Sequence, residues 1–344
     1  MSNDPFSDIL RLTDPSSVVS GAFSAGGAWA LRFPPPERIK FSAVARGACW
    51  LRVDGLKKAV RLDEGDVVLL PGRDGFVLGS DLTTPPQDYR RVLGRNGGAL
   101  TKIGDGSACV VLSGMVSLHA SSGALLTDVL PALIHVRAAS PQAAPLRWIV
   151  EQILHERTST LPGASIASAQ LAQLMFVQVL RAHLASSGTL PSGWLRAISD
   201  ERLTPSLRLM HGDPAHAWRL GELAKASAMS RTSFAVHFKS VSGVAPLAYL
   251  IEWRMRLAQR ALREGDASIF QLAQSLGYAS ESAFSNAFKR VTGTAPRNYR
   301  NAARRLPSAA NGTVNLEVGP GNGRRRAALA SGRRRPMKGR AALA

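Results

Sequence analysis

The segment SRTSFAVHFKSVSGVAPLAY, residues 230–249, recurs 50 residues later as SESAFSNAFKRVTGTAPRNY, residues 280–299. Seven residues that shape helices and turns return at this offset: one Ser, two Phe, and one each of Lys, Gly, Pro and Tyr. Upstream, the pattern Leu-x-x-Leu-Ala at 220–224 returns as Ile-x-x-Leu-Ala at 269–273, an offset of 49. A repeat of this kind indicates one supersecondary unit used twice, with a one-residue difference in a turn.

Each unit is predicted to be a short helix, a turn and a second helix that begins after a serine. The hydroxyl of Ser230 or Ser280 can accept a hydrogen bond from an amide in the first turn of that helix. This arrangement is typical of a helix-turn-helix. At 100° per residue, the apolar face of each second helix is predicted to be buried. Its members are Phe234, Phe238 and Val241 in unit one, and Phe284, Phe288 and Val291 in unit two.

The opposite face of each second helix is predicted to be exposed. In unit one it carries Thr232, Val236 and Lys239, with Ala235 beside them. In unit two it carries Ser282, Asn286 and Lys289, flanked by Ser285 and Arg290. Short and polar side chains with basic residues near the helix end suit a DNA major groove, which is about 12 Å wide and admits one helix.

A long helix is predicted between the units, from Leu247 to Arg263. At 1.5 Å per residue it spans about 25 Å. With the offsets of the units added, the two recognition helices are expected to lie about 34 Å apart, one turn of DNA. One chain is then expected to read two successive major grooves.

The N-terminal half has a different texture, because from Phe33 to Val136 short apolar runs are broken by Gly, Pro and Asp. Cys49–Val53 followed by Asp-Gly predicts a strand that enters a hairpin turn. Val67–Leu70, closed by Pro71, predicts a strand buried on both faces. Further predicted strands are Phe76–Leu78, Ala108–Leu112 and Met115–Leu118. Many short strands at close spacing predict a β-barrel or sandwich.

Two helices are predicted after this region, from Leu146 to Glu156 and from Ala169 to Leu184. The second carries an apolar stripe made of Leu171, Leu174, Met175, Leu180 and Leu184. Such a stripe fits a dimer seam, and it fits equally well packing against the barrel or the next domain.

Composition and charge limit the class of protein. The 344 residues are 45% hydrophobic and 19% charged, which excludes wholesale disorder. The net charge of +19 divides into +4 over residues 1–212, +6 over 213–300 and +9 over 301–344. The last segment has runs of three arginines at 324–326 and 333–335 among Gly, Ala and Ser, which predicts a disordered tail. Two interpretations of the tail stay open: it adds nonspecific contacts to DNA phosphates, or it is a solvated extension without a dedicated partner.

The two cysteines, Cys49 and Cys109, are too few for a disulfide framework, a zinc finger or an iron–sulfur site. Both lie in apolar strand contexts, which favours buried inert thiols, and a redox-switched pair requires that the barrel bring them together. The N-terminus lacks a secretory signal pattern, and no apolar stretch of membrane-spanning length occurs. We therefore expect a cytoplasmic protein without a membrane partner.

Residues 212–300 resemble the paired helix-turn-helix domain of AraC/XylS-type transcriptional regulators. The resemblance rests on Ser230–Phe234 with Gly243-x-x-Pro246, and on Gly277–Lys289 with Gly293-x-x-Pro296-x-x-Tyr299. Residues 33–210 resemble the cupin-type sensor half of one subgroup of that family. The motifs there are Gly47-x-Cys49-Trp50-Leu51, the stretch from Leu62 to Pro71, and Leu130-Pro131. The expected fold class is thus α+β multidomain, with an N-terminal cupin-like, jelly-roll β-barrel, a helical connector and an all-α double helix-turn-helix domain.

The resemblance implies that the exposed faces of both second helices contact DNA. The residues that inherit this role are Arg231, Thr232, Ala235, Val236, Lys239, Glu281, Ser282, Ser285, Asn286, Lys289 and Arg290. Asn286 is suited to an adenine edge, Glu281 either accepts from cytosine or caps its helix, and Val236 and Ala235 suit a thymine methyl group. The lysines, Arg290 and Arg297 either contact phosphates or form a solvated face. His237 is expected to flank the core.

Cupin folds often hold a metal, and a metal would make the N-terminal half an oxygenase or isomerase. Only His119 and His135 lie in the strand-rich region, without a nearby His-x-His pair. The subgroup commonly has a histidine after the Pro71 loop, where this chain has Phe76. We therefore expect no catalytic residues, no metal and no cofactor, while a metal-free pocket for a small organic effector, at unknown residues, stays open.

The sequence thus predicts a sequence-specific DNA-binding transcriptional regulator that is not an enzyme. The expected domains are a sensor at 1–140, a connector with a dimerisation role at 141–211, a DNA-binding domain at 212–305 and a basic tail at 306–344. Expected partners are double-stranded DNA, RNA polymerase, a second copy of the chain and a small-molecule effector. The alternatives are a constitutive regulator whose barrel only dimerises, and a cupin enzyme fused to a DNA-binding module.

Overall fold

The computed structural model describes residues 4–94, 100–106, 108–119, 122–159, 161–186 and 190–305. Within these ranges a strand-rich N-terminal half precedes a helical C-terminal half, which confirms the predicted α+β multidomain fold. The predicted tail, residues 306–344, lies outside the described residues.

The strands and helices occur in the following order along the described ranges. The strands are β1 (Ser16–Ala25), β2 (Ala30–Phe33), β3 (Ile39–Arg46), β4 (Ala48–Val53), β5 (Val60–Asp63), β6 (Val67–Leu70), β7 (Phe76–Gly79), β8 (Gln87–Asp88), β9 (Thr101–Ile103), β10 (Cys109–Ser117) and β11 (Ile134–Val136). The helices are α1 (Pro5–Thr13), α2 (Tyr89–Leu93), α3 (Ala124–Thr127), α4 (Ala143–Thr158), α5 (Ala164–Ser186), α6 (Trp194–Ser199), α7 (Thr204–Gly212), α8 (Leu220–Ala226), α9 (Arg231–Ser242), α10 (Pro246–Glu264), α11 (Ile269–Ser275), α12 (Glu281–Thr292) and α13 (Pro296–Arg305).

The strands form two open sheets that pack face to face. One sheet has the order β11-β6-β3-β10-β1-β9, and the other has the order β5-β4-β7-β2-β8. Apolar side chains from both sheets, including Phe23, Val111, Leu51 and Leu78, form a single buried cluster between them. The N-terminal half is therefore a two-layered sandwich of the jelly-roll kind, in which the sheets are not closed into one continuous barrel.

Strand β10 differs from its prediction, because it is one continuous strand where two were predicted on either side of residues 113–114. Gly114 explains the continuity. A Cβ atom at this position would lie 2.0 Å from Cζ of Phe41, so glycine lets β10 pass under the ring while it pairs with β3. The predicted turn after β4 is confirmed, with Gly55 at φ 79° and β5 returning antiparallel to β4.

The N-terminal arm was not anticipated by the strand pattern, and it forms both α1 and β1. Asp4 caps α1 by accepting a hydrogen bond from the amide of Phe6 at 3.1 Å, and Ile9 and Leu12 are buried. Strand β1 pairs with β10 in the six-stranded sheet. The arm is therefore an integral part of the N-terminal fold.

Helices α4 and α5 confirm the two predicted helices and pack against each other. On α5, Met175 and Leu180 are fully buried against the sandwich, where α5 contacts β1 and β11. Leu174 of the same stripe is 40% exposed. Packing within the chain thus accounts for the buried part of the stripe.

The C-terminal half contains the two predicted helix-turn-helix units, α8–α9 and α11–α12, joined by the predicted long helix α10. Phe234, Phe238 and Val241 are buried as predicted, and so are Phe284 and Phe288. In the described ranges no single helix is long and apolar enough to cross a membrane, whereas α9 and α10, bent by 51°, pass that test only as a pair.

Val291 corrects the sequence prediction, because it is 44% exposed although its repeat partner Val241 is buried. The difference comes from α6, which packs on α9. The amide of Gly193, just before α6, donates to the carbonyl oxygen of Val241 at 2.9 Å. The first unit thus has a neighbour that covers Val241, and rotation about the helix axis cannot reveal such a neighbour.

The buried cores do not divide where the sequence pattern changes. One continuous core runs from α1 and the six-stranded sheet through α4–α7 into unit one, ending at Phe234, Phe238 and Trp253. Unit two has a separate core of nine buried residues, contributed by the segment from α10 to α12 and including Leu262 and Leu272. Helix α10 contributes to both cores, with its first half in the shared core and its second half in that of unit two.

Candidate DNA-binding surface

Both recognition helices, α9 and α12, begin and end in the same way. Ser230 Oγ accepts from the amide of Ser233 at 3.1 Å, and Ser280 Oγ accepts from the amide of Ala283 at 3.1 Å. These caps satisfy amides that a helix start leaves without a partner. Each helix ends at a glycine in the left-handed region, with φ 82° at residue 243 and 79° at residue 293. The repeat in sequence is therefore a repeat in local structure.

Helix α9 presents the predicted mixed face to solvent. Thr232 and Lys239 are exposed, Val236 is 66% exposed, and Ala235 is half-buried. An exposed valine between a threonine and a lysine has no role in the core, because the buried Phe234 and Phe238 face the other way. Arg231 is also exposed, and its guanidinium group lies against Gly221 of α8, where an added Cβ would be 2.9 Å from Nε.

Helix α12 presents a more polar face. Its exposed members are Ser282, Asn286, Lys289 and Arg290, and Ser285 is half-buried beside them. The amide of Asn286 has both donor and acceptor groups, which a base edge requires. Lys289 and Arg290 lie in the last turn of the helix, where positive charge also complements the helix dipole.

Glu281 has a specific partner in the structure. It stands in the first turn of α12, and its Oε1 lies 3.5 Å from Nη2 of Arg297 on α13. A carboxylate at a helix N-terminus is stabilised by the helix dipole. Arg297 is 80% exposed, so this ion pair lies at the surface. Both members of the pair are residues for which the sequence left two roles open.

His237 does flank the core, and it has a partner that the sequence did not indicate. Its Nε2 lies 2.9 Å from Oδ2 of Asp200, the residue that follows α6. Asp200 also accepts, through Oδ1, hydrogen bonds from the amides of Arg202 and Leu203 at 2.9 and 3.2 Å. This contact fixes the recognition helix of unit one to the connector. A pair separated by 37 residues, without periodicity, left no signal in the sequence.

Arg254 of α10 holds the two units together. Its Nη2 donates to the carbonyl oxygen of His216 at 2.9 Å, and its guanidinium group lies 5.7 Å from the centre of the Tyr278 ring. Gly277, at φ 77°, approaches the same loop so closely that a Cβ would lie 2.0 Å from the carbonyl oxygen of Ala215. The turn of unit two thus rests on the segment that leads into unit one.

One of the two histidines of the N-terminal sandwich, His135, is paired with a carboxylate. His135 Nε2 lies 2.7 Å from Oδ2 of Asp66, which also accepts from the amide of Ala138 at 2.7 Å. Phe76 is fully buried and stacks on Phe33 at 4.7 Å between ring centres. Across the part of the chain that the structure describes, no group of three or more His, Cys, Asp or Glu side chains is placed to hold a metal ion.

His119 stands at the other end of the sandwich. Its backbone amide donates to the carbonyl oxygen of Thr13 at 2.8 Å, and burial together with the nearby Arg263 of α10 lowers the pKa of its imidazole. The two sensor histidines therefore face different partners, one within the sandwich and one towards the C-terminal half.

Comparison with known proteins agrees with this architecture. Residues 4–185 match the cupin family model, and residues 223–302 match the model described as a helix-turn-helix domain. The chain is 41% identical over 297 residues to a protein of Streptomyces antibioticus named as an AraC-like transcription regulator, which covers 86% of this chain and 98% of that relative. The chain belongs to the AraC family of transcription regulators.

This AraC-family regulator has further relatives of the same kind. It is 29% identical over 284 residues to the HTH-type transcriptional regulator AlkR of Acinetobacter baylyi, covering 80% of this chain and 91% of AlkR. The solved DNA-binding domain of AdpA, in complex with a target DNA, is 33% identical, covers 31% of this chain and 97% of that one, and has a TM-score of 0.30. The family models show a cupin domain followed by a helix-turn-helix domain, and the curated relatives compared above are named as transcription regulators.

Proposed function

We propose that this regulator reads its operator with two recognition helices that differ in chemistry. Asn286 of α12 contacts a base edge, and Val236 with Ala235 of α9 contacts thymine methyl groups or senses shape. Lys239, Lys289 and Arg290 contact phosphates. Arg231, Thr232, Glu281, Ser282 and Ser285 complete the interface. The observation that carries the proposal is the pair of exposed faces on two identically capped helices, one of them with a valine that the core does not use.

The spacing of the units supports adjacent major grooves. Helix α10 has 19 residues and spans about 28 Å. Successive major grooves on one side of DNA are about 34 Å apart. A connection of this length, with its first half in the core of unit one and its second half in that of unit two, supports a separation of the two helices close to one duplex turn.

The test compares Asn286→Ala with Lys289→Ala on matched operators and on operators with one changed base pair. Asn286→Ala should relax the preference at one base pair by about 1–3 kcal/mol, because that base edge loses its partner. Lys289→Ala should weaken binding to all sequences alike. Asn298→Ala, an exposed asparagine on α13, and Lys57→Ala, an exposed lysine in the sensor, are the matched controls. If both test variants act uniformly, the assignment of Asn286 is wrong.

We also propose that the protein is cytoplasmic and that its N-terminal, sensor half modulates DNA binding. The signal is a small-molecule effector or a contact between two copies of the chain. The DNA-bound form then acts on RNA polymerase. The boundaries proposed for these roles are 1–140, 141–211, 212–305 and 306–344. The continuous core from the sandwich into unit one supports mechanical connection between the halves.

Three measurements separate this proposal from its alternatives. An operator affinity that is the same with and without candidate ligands favours a constitutive regulator. Analytical sedimentation at several protein concentrations shows whether two copies of the chain associate. Stoichiometric metal in the purified protein, together with turnover of a substrate, would favour the fused enzyme.

A further inference from the structure

The two cysteines of the chain lie next to each other inside the sensor sandwich. Cys49 is the second residue of β4 in the five-stranded sheet, and Cys109 is the first residue of β10 in the six-stranded sheet. Each residue is 1% exposed, and both belong to the cluster that fills the space between the sheets. The Cys49 thiol is within hydrogen-bonding distance of the Cys109 sulfur, across the two layers.

A tight corner of the backbone creates this proximity. Strand β3 ends at Arg46, which pairs with Val110 of β10. Gly47 follows at φ 75°, and a Cβ there would lie 2.0 Å from the carbonyl oxygen of Ala108 and 3.2 Å from Cα of Cys109. The chain therefore leaves one sheet directly beside Cys109 and starts the other. Cys49 comes two residues later.

The surroundings of the two thiols are electrostatically unequal. The hydrogen bond from Cys49 lowers the pKa of the Cys109 thiol, burial opposes this change, and the Arg46 guanidinium group lowers the pKa further. The hydrogen bond to Cys109 and burial raise the pKa of Cys49, and the carboxylates of Asp66 and Asp63 add to the increase. Ionisation is therefore favoured at Cys109 relative to Cys49.

Cys109 is buried, but the residue before it in the chain, Ala108, is exposed. Pairs of cysteines in reducing compartments are mostly catalytic or redox-sensing when they form disulfides. A thiolate with a second thiol in contact is the arrangement that such chemistry requires.

We propose that Cys49 and Cys109 form a dithiol redox site that hydroperoxides oxidise to an intramolecular disulfide. The Cys109 thiolate attacks the terminal oxygen of the hydroperoxide, so that an S–O bond forms, the O–O bond breaks and alkoxide or hydroxide leaves with a proton as alcohol or water. The Cys49 sulfur then attacks the sulfenic sulfur, the S–S bond forms, and the S–O bond breaks with loss of water. The two thiols together lose two electrons and two protons, which reduce one hydroperoxide.

The experiment uses the full-length reduced protein and hydrogen peroxide. Free thiols are counted after denaturation with an alkylating reagent, and the intact mass is recorded. We expect the count to fall from two per chain to none, the mass to decrease by about 2 Da, the chain to stay monomeric on a non-reducing gel, and dithiothreitol to restore both thiols. Thiols that stay reduced, or disulfides between chains, overturn the proposal.

Variants assign the two sulfurs. Cys49→Ser should stop at a sulfenic acid on Cys109 that dimedone traps, whereas Cys109→Ser should leave Cys49 reduced. Arg46→Gln changes only an exposed side chain and should slow thiol loss in the otherwise native protein, because a smaller fraction of Cys109 is thiolate. Equal oxidation rates in Arg46→Gln and the parent, or faster reaction at Cys49, overturn the assignment. None of these measurements uses DNA, so their outcome is independent of the proposed operator reading.

Discussion

Replacing Phe288 by alanine is expected to unfold the second helix-turn-helix unit locally while the sensor and the first unit stay folded. Phe288 belongs to the separate nine-residue core of unit two, whereas its repeat partner Phe238 belongs to the core that continues into the sensor. The two residues have the same side chain, the same place in the repeat and the same 0% exposure. The core around them differs, because the core of unit one continues through α6 into the N-terminal half and that of unit two does not.

The free-energy cost of Phe288→Ala follows from the packing of the ring that it removes. The centre of the Phe288 ring lies 5.7 Å from that of Phe284 and 5.5 Å from that of Tyr299. Truncation of a buried phenylalanine to alanine costs about 3–5 kcal/mol through lost burial and the cavity that remains. At 1.4 kcal/mol per factor of ten, local opening of unit two should increase about 10²- to 4 × 10³-fold.

Hydrogen exchange followed by mass spectrometry measures this opening segment by segment. In Phe288→Ala, amides of α11 and α12 should lose protection, while those of β10 and α9 should keep it. In Phe238→Ala, the loss should extend to α6 and α7, because these helices share the core with Phe238. If Phe288→Ala raises exchange in β10 and α9 as much as in α12, the two cores are one cooperative unit and the reasoning is refuted.

Three further predictions follow from buried polar contacts and from charge. Burial lowers the pKa of His211, so the unfolded chain binds a proton that the folded chain excludes, and the free energy of unfolding should decrease as pH falls below about 6.5. His211→Gln should flatten this dependence in thermal melts at several pH values. Asp200→Asn should lower the free energy of unfolding by about 1.5–3 kcal/mol, because it removes the carboxylate charge that faces His237. Denaturant midpoints equal to those of the parent protein would contradict this prediction. Deleting residues 306–344 should reduce salt-sensitive affinity for nonspecific DNA, and a loss of operator preference would show a larger role for the tail.

Much of the C-terminal half was predictable because its determinants are local. The serine caps, the glycine ends and the four-residue spacing of Phe234 and Phe238 act within one or two turns of helix, so neighbouring residues are enough to predict them. The same holds for Val67–Leu70, whose uninterrupted apolar run indicates a strand buried on both faces. The exposed face of α12 follows from the burial of the opposite face.

Features that depend on distant residues were not predictable. Val291 was expected to be buried like Val241, and its exposure depends on where α6 packs. The pair formed by His237 and Asp200 joins residues that no periodic pattern connects. The α1 helix was not predicted, although Phe6, Ile9 and Leu10 have helical spacing. Their burial comes from the sheet and from helices α7 and α10, which are distant in sequence.

The sequence by itself determined that two capped helix-turn-helix units are joined by a long helix, and which face of the second helix of each unit is exposed. Hydrogen bonds and rotation within a helix fix these properties over a few residues. Only the tertiary structure decided that unit one shares its core with the sensor, that unit two has its own, and that Cys49 meets Cys109. Such contacts depend on how sheets and helices pack across long separations in the chain, and local spacing carries no record of that packing.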